Sequence, residues 1–314
     1  MIHIITASPC YDFYVEVPND FQAKEVIYYD YSEIRIGGKG LNVSIKLEEI
    51  GVKNKNYLFL GNKNSADYLR IYKESFNSSI EYIEYDGYVR TNFKFVKRDG
   101  NNIKVLKEMN KKPSELDDNS YESLVKLLCE SYVDDELNFI LLCGSVNPSN
   151  FYERFLNDNR LKKFKFIIDT SKEALAFCLQ SDNIYLLKPN LDELKEINTD
   201  YKPFFDLIDE NSEKNSEILE KFFISNSLYT NKNFYITNNK YDSYFYDATS
   251  KKCSVIKTEN TGETKRSTVG AGDKSLAYTL YFLKQGNGLK AAVKEALYAI
   301  SYELVMGKSY LKKD

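Results

Sequence analysis

Short apolar runs rich in β-branched and aromatic residues alternate along the chain with longer amphipathic stretches, and this alternation restricts the fold more than any other feature. Residues 2–6, 55–60, 138–142, 164–168, 184–187 and 233–237 read as strands. Residues 40–50, 65–76, 114–131, 150–158, 171–180, 190–197, 213–225, 271–284 and 288–304 read as helices. A strand that returns to its sheet through a helix becomes a parallel neighbour. Repetition of that unit predicts an α/β fold: a doubly wound, mainly parallel sheet with helices on both faces. Two stretches in the first third break the pattern. Residues 11–17 with 26–36, and 88–96 with 102–106, read as strands with no helix between them. They predict a small antiparallel β lid formed from about 11–36 and 88–106, of the kind that closes over a substrate. No Pro-, Gly- or Ser-rich linker sets this material apart, so residues 1–314 are expected to form a single domain.

Charge and cysteine usage exclude several classes of function. Lysine and arginine number 43 against 46 acidic residues, a net charge of -3, so no global basicity exists to hold a nucleic acid. No apolar run approaches the roughly 18 residues of a membrane span, and the start MIHIITASPC lacks the features of a signal peptide. The five cysteines are odd in number and form no CxxC pair, which argues for a cytoplasmic location and against disulfides or structural zinc. The single histidine, His3, sits in the run IHIIT and reads as a strand-end residue. Acid–base chemistry in such a chain falls to a carboxylate.

Ligands of an open parallel sheet bind beyond the carboxyl ends of its strands, which directs attention to the strand-to-helix loops. STVGAGD at 267–273 leads into an apolar helix. Gly270, Ala271 and Gly272 leave the backbone open, and successive N–H groups at a helix start cradle an anion. Asp273 at the edge of that cradle is suited to accept a hydroxyl proton during phosphoryl transfer, or simply to cap the helix. IGGKGLNV at 36–43 places Gly38, Lys39 and Asn42 at another helix entrance: a seat for a polar ligand, or an ordinary glycine turn with a solvated lysine. It is not a Walker A loop, because Glu33 occupies the position of the first glycine. In LLKPNLDELKE, Asn190 and Glu193 are three apart, which suits either a hydrated Mg²⁺ or a capping box. LLCGSVNPSN carries a buried strand into Gly144 and Ser145. VRTNFKF alternates, so Arg90, Asn92 and Lys94 share one face, fit for a phosphate dianion or for solvent.

Taken in order, these segments resemble those of the PfkB (ribokinase-like) carbohydrate kinases nearly end to end. GGKGLNV resembles the N-terminal signature of the family, STVGAGD its catalytic signature and LLKPNLDE its KPNxxE segment. SPCYD at 8–12 resembles the start whose Asp contacts the sugar, here Asp12, and GSVNPS resembles the GSLPxG turn. IIDTSKEAL at 167–175 and VRTNFK resemble segments of the 1-phosphofructokinase and tagatose-6-phosphate kinase subgroup. The resemblance implies ATP-dependent phosphorylation of a ketohexose monophosphate, first of all fructose 1-phosphate to fructose 1,6-bisphosphate. Tagatose-6-phosphate kinase, or a non-catalytic sugar-phosphate binding protein, is the alternative. It further implies Asp273 as general base with the amides of Gly270, Ala271 and Gly272 as anion hole. Lys188, Asn190, Thr237, Asn239, Gly270 and Gly272 would serve ATP, and Asn190 and Glu193 would meet Mg²⁺ through water. Asp12, Gly38, Lys39, Asn42, Arg90, Lys94 and Ser145 would hold the sugar phosphate, and two copies would dimerise through the lid. The nucleotide loop reads TNNKYD at 237–242, with Asn239 and Asp242 where the family carries glycine. Lys274 is expected to offset the charge of Asp242.

Overall fold

The computed structural model describes residues 1–18, 21, 25–76, 80–99, 102–134, 137–208, 214–238, 242–257 and 270–311. In chain order the elements are β1 Ile2–Thr6, β2 Cys10–Glu16, β3 Ser32–Gly37, α1 Lys39–Glu49, β4 Asn54–Gly61, α2 Ser65–Ser75, β5 Ile80–Tyr85, β6 Arg90–Asp99 and β7 Asn102–Met109. There follow α3 Asp118–Glu130, β8 Phe139–Cys143, α4 Phe151–Asn157, β9 Lys165–Asp169, α5 Lys172–Cys178, β10 Leu186–Leu187, α6 Leu191–Ile197, α7 Lys202–Phe205 and α8 Asn215–Ser225. The chain closes with β11 Phe234–Ile236, β12 Ser243–Asp247, β13 Lys252–Ile256, α9 Ala271–Lys284 and α10 Leu289–Met306.

Nine strands form the main sheet in the order β13-β12-β11-β10-β9-β8-β1-β4-β5, parallel from β11 to β5 and antiparallel at the β11–β12 and β12–β13 pairs. Both faces are covered, so the central strands are apolar along most of their length and sort by period two. Ile4, Leu141 and Ile167 join one buried cluster with Val43 and Leu47 of α1 and Leu276 and Leu280 of α9. Ile5, Leu142 and Ile168 face the other side, against Leu124, Phe151, Leu175 and Phe222. From β1 the chain builds outward to β4 and β5, then returns to place β8 on β1's other side. That reversal opens a crevice beyond the carboxyl ends of β1 and β8, where doubly wound sheets bind ligands.

The smaller sheet runs β3-β2-β6-β7; its outer pairs are antiparallel and its central pair, β2 with β6, is parallel. Tyr11, Ile36 and Val89 anchor it in a third apolar cluster with Leu58, Leu60, Tyr68 and Tyr72. Strand β3 begins at Ser32 rather than near 26, and α3 begins at Asp118 rather than 114. The helix start is set by Asp117, whose side chain accepts the Ser120 N–H at 2.8 Å in an N-cap. Strands β5 and β13 close the two edges of the sheet, where one partner suffices, and β12, five residues long and mostly buried, lies between β11 and β13. His3 is fully buried in β1 with Nδ1 3.1 Å from the Tyr57 hydroxyl, and burial pushes its pKa down to about 4. It is a core residue.

Candidate active site

Two glycine-led helix starts meet at the crevice. Gly38, at φ 138°, caps α1, and a Cβ there would stand 2.8 Å from Thr6 Cγ2. Only glycine allows α1 to begin this close to the end of β1. Gly270, at φ 75° in the left-handed region, caps α9. The first intrahelical bond of α9 runs from the Lys274 N–H to the Gly270 carbonyl at 3.0 Å, so the amides of Ala271, Gly272 and Asp273 precede it. Ser275 Oγ donates to the Gly272 carbonyl at 2.9 Å and accepts from the Tyr235 hydroxyl at 3.2 Å, tying this turn to β11.

Asp273 and Asn42 come together across 231 positions of sequence: the Asn42 amide donates to Asp273 Oδ2 at 2.7 Å. Asp273 is 8% exposed. Burial, reinforced by the nearby Asp169 carboxylate, raises its pKa to about 6, against the pull of Asn42, Lys39 and Lys188. A carboxylate poised near neutrality is suited to take up and release a proton.

Beside it lies a charge cluster that sequence reading does not reveal. Asp169, 1% exposed at the end of β9, lies 3.1 Å from Lys39 Nζ and 3.7 Å from Lys188 Nζ. Burial alone would raise the Asp169 pKa, but the two lysines overcome it and hold the carboxyl low. Asp169 in turn is the main cause that raises Lys39, whose Nζ also lies 3.8 Å from Glu193 Oε1. The available signal was an acidic residue closing a buried apolar strand in IIDTS; the two lysine partners come from other loops. Lys188 is 5% exposed, and its Nζ would sit 3.4 Å from a Cβ at Gly272, which brings an ammonium group to the α9 amides.

Asn190 and Glu193 form the capping box, with Glu193 N–H to Asn190 Oδ1 at 2.7 Å and Asn190 N–H to Glu193 Oε2 at 2.8 Å. Burial raises the Glu193 pKa. Thr237 is bridged to Asn190 and donates its N–H to the Pro189 carbonyl at 3.2 Å. Ser145 follows Gly144, whose added Cβ would meet Lys39 Cβ at 3.7 Å. Asn239, Ser267, Thr268 and Val269 lie outside the described residues. Asp242 pairs with Lys257 at 3.2 Å rather than with Lys274, so the compensation expected of Lys274 falls to Lys257.

The polar face of the small sheet carries Cys10, Asp12, Arg90, Asn92 and Lys94. Asp12 accepts from Asn92 Nδ2 at 3.0 Å and packs over Gly37, where a Cβ would lie 2.7 Å from its Oδ2. Arg90 donates from Nη1 to the Lys111 carbonyl at 3.1 Å. Lys94 lies on the expected face, but between two carboxylates: Asp12 at 3.7 Å and Glu108 at 3.2 Å. Its pKa is raised: desolvation works against this, and Asp12 leads the groups that outweigh it. Among the described residues no three His, Cys, Asp or Glu side chains are grouped to hold a metal ion directly.

A sequence profile described as pfkB family carbohydrate kinase matches residues 5–301. The 1-phosphofructokinase of Borreliella burgdorferi is 29% identical over 200 residues, which cover 63% of this chain and 61% of that protein's own length. The 1-phosphofructokinase of Haemophilus influenzae is 26% identical over 294 residues, covering 90% of this chain and 84% of that one. The structure of Escherichia coli phosphofructokinase-2 in complex with fructose-6-phosphate superposes with a TM-score of 0.76 at 16% identity, covering 96% of this chain and 93% of that one. No helix among the described residues is long and apolar enough to cross a membrane.

Proposed function

Because the chain belongs to the pfkB family of carbohydrate kinases, we propose that it transfers the γ-phosphoryl group of ATP to a ketohexose monophosphate, converting fructose 1-phosphate to fructose 1,6-bisphosphate. The observation that carries this reading is the buried Asp273 carboxylate, gripped by Asn42 at the start of α9 and flanked by Lys39 and Lys188. In the reaction, Asp273 takes the proton of the acceptor hydroxyl as that oxygen bonds to the γ-phosphorus. The bond from the γ-phosphorus to the β–γ bridging oxygen breaks, and ADP leaves. The amides of Ala271 and Gly272 and the helix dipole face the negative charge on the transferred group, and Lys188 adds a cation at the same turn.

Mg²⁺ fits this donor set only as a hydrated ion carried on the nucleotide, whose water shell Glu193, with Asn190 beside it, would meet. When bound, the ion neutralises charge on the ATP phosphates. The whole chain acts as one domain, with the small sheet as a lid over the sugar. The five cysteines are all free thiols, which fits a reducing, cytoplasmic setting. Relatives named 1-phosphofructokinase support the substrate. An assay coupled to ADP release, run over a panel of sugar phosphates, is expected to give the highest kcat/KM with fructose 1-phosphate; a preference for tagatose 6-phosphate or for unphosphorylated sugars overturns the assignment.

The pKa of Asp273 makes this mechanism pH-dependent in a stated sense. Only the ionised carboxylate accepts a proton, and its pKa is about 6. The kcat/KM of the free enzyme is therefore expected to be level above about pH 7 and to fall roughly tenfold per unit below 6. A profile flat down to pH 4.5 contradicts the role.

The partner of the lid is a second copy. Ile34, Phe13, Phe93 and Met109 stand opposite one another in a row across all four strands of the small sheet. Ile34 and Met109 are 51% and 53% exposed, so the row is an apolar strip beyond the part of that face where Tyr11 and Ile36 pack against α2. Burying the row between two lids gives a homodimer. Phe93→Asp places a charge at its centre and is expected to convert the dimer to monomer by light scattering; an unchanged mass removes the lid from the interface.

A further inference from the structure

Helices α1 and α9 both start at the site and run away from it side by side. Their first contact is the bond from Asn42 to Asp273. A second polar contact lies deeper. Lys46, one turn beyond Asn42, places Nζ 2.6 Å from Glu303 Oε1 of α10. The Tyr278 hydroxyl, on α9, donates to the same oxygen at 2.5 Å. Lys46 Nζ also lies 5.1 Å from the centre of the Tyr278 ring. The side chains of Lys46 and Glu303 are 4% and 3% exposed, and Tyr278 is fully buried. None of the three touches the crevice residues already described.

A buried ion pair is a weak source of net stability, because desolvation of both charges offsets their attraction; its best-attested use is to specify register. The surrounding contacts of Val43, Leu47, Leu276 and Leu280 are apolar and non-directional, and tolerate a small slide of one helix along the other. A lysine and a tyrosine converging on one oxygen do not. A slide of one helix along the other would tilt and lengthen the bond from Asn42 to Asp273 away from its preferred line. We propose that Lys46, Tyr278 and Glu303 are positioning residues that lock α1 to α9 and so hold the Asn42 amide on the Asp273 carboxylate. The proposal rests on the reading of Asp273 as the base.

The test compares Asn42→Ala, the paired apolar replacement Lys46→Met with Glu303→Leu, the combination of all three, Tyr278→Phe and Asp273→Asn. Thermal midpoint, kcat and the pH dependence of kcat/KM are measured on each full chain with fructose 1-phosphate and ATP. The groups around Asp273 are Asp169, Lys39, Lys188 and Asn42; Asn42 and Lys39 both lie on α1 and both favour the ionised carboxylate, so a shift of α1 on α9 moves the acid limb in one direction. The paired replacement is expected to fold, to lower kcat about tenfold, and to move the acid limb to higher pH in the same direction as Asn42→Ala. Adding Asn42→Ala to it is expected to change little further, since the bond is already lost. Tyr278→Phe moves the limb the same way by less, and decides the matter if the paired variant does not fold. An unchanged acid limb and kcat in the folded paired variant, an unchanged limb in Tyr278→Phe, or strict additivity with Asn42→Ala overturns the proposal. Near-normal turnover by Asp273→Asn instead overturns the assignment of the base, so the two failures are told apart.

Discussion

Asp273→Asn is expected to lower kcat by about 10²- to 10⁴-fold while nucleotide and sugar-phosphate binding change little, the span typical of removing a positioned general base. The amide keeps the shape and retains an oxygen for the Asn42 donor, so the loss isolates proton transfer. Stability supplies an independent check with a definite sign. The folded pKa of about 6 lies above the ordinary carboxylate value of 3.8. The folded state therefore favours the protonated acid, and stability is lost as pH rises from 3.8 through about 6. At pH 7 the wild-type chain carries that cost and the asparagine variant does not, so its thermal midpoint is expected to rise. A variant that is inactive and less stable would point to a damaged fold, and one with near-normal turnover would remove Asp273 from the chemistry.

Arg90→Ala is expected to lower kcat/KM for the sugar monophosphate about 10- to 100-fold, carried by KM, and to leave weak activity on unphosphorylated sugar nearly unchanged. A hydrogen bond to a charged group contributes about 1.5–3 kcal/mol, which converts to that range. Two observations favour Arg90 over Lys94 as the phosphate reader. The buried Arg90 Nε has no hydrogen-bond partner among the described residues, whereas Lys94 already faces Asp12 and Glu108. Lys94 and Asn92 instead hold the Asp12 carboxylate, at 3.7 and 3.0 Å. Steady-state kinetics on fructose 1-phosphate and on fructose separate the outcomes. An equal loss on both substrates would show that Arg90 supports the lid and does not read the phosphate.

Much of this arrangement is legible in the sequence, and the legible part shares one property. The strand and helix alternation, the glycine-led helix starts at Gly38 and Gly270, and the box of Asn190 with Glu193 all depend on residues within a few positions of one another. Backbone sterics, capping and side-chain periodicity act over that range, so local order alone specifies them. Where local signals were weak, reading failed: the edge strands β5 and β13 are only partly buried, β12 is a run of five residues, and the segment before Ser32 has strand-forming residues but is not paired as a strand.

The site itself was decided by topology. Asp169 closes a buried apolar strand, and nothing near it in sequence announces Lys39 or Lys188 as partners. Asn42 meets Asp273 across 231 residues, and Lys46 meets Glu303 across 257. Nor could composition show that Lys94 is neutralised by Asp12 and Glu108, or that Asp242 takes Lys257 in place of Lys274. The sequence by itself determined which loops carry reactive groups, because short-range geometry selects the residues that can begin a helix or close a strand. Only the tertiary structure decided which of those groups face one another and how they titrate, because charge interaction and desolvation depend on distance and burial in space, and the doubly wound sheet sets both by the order in which its strands are laid down.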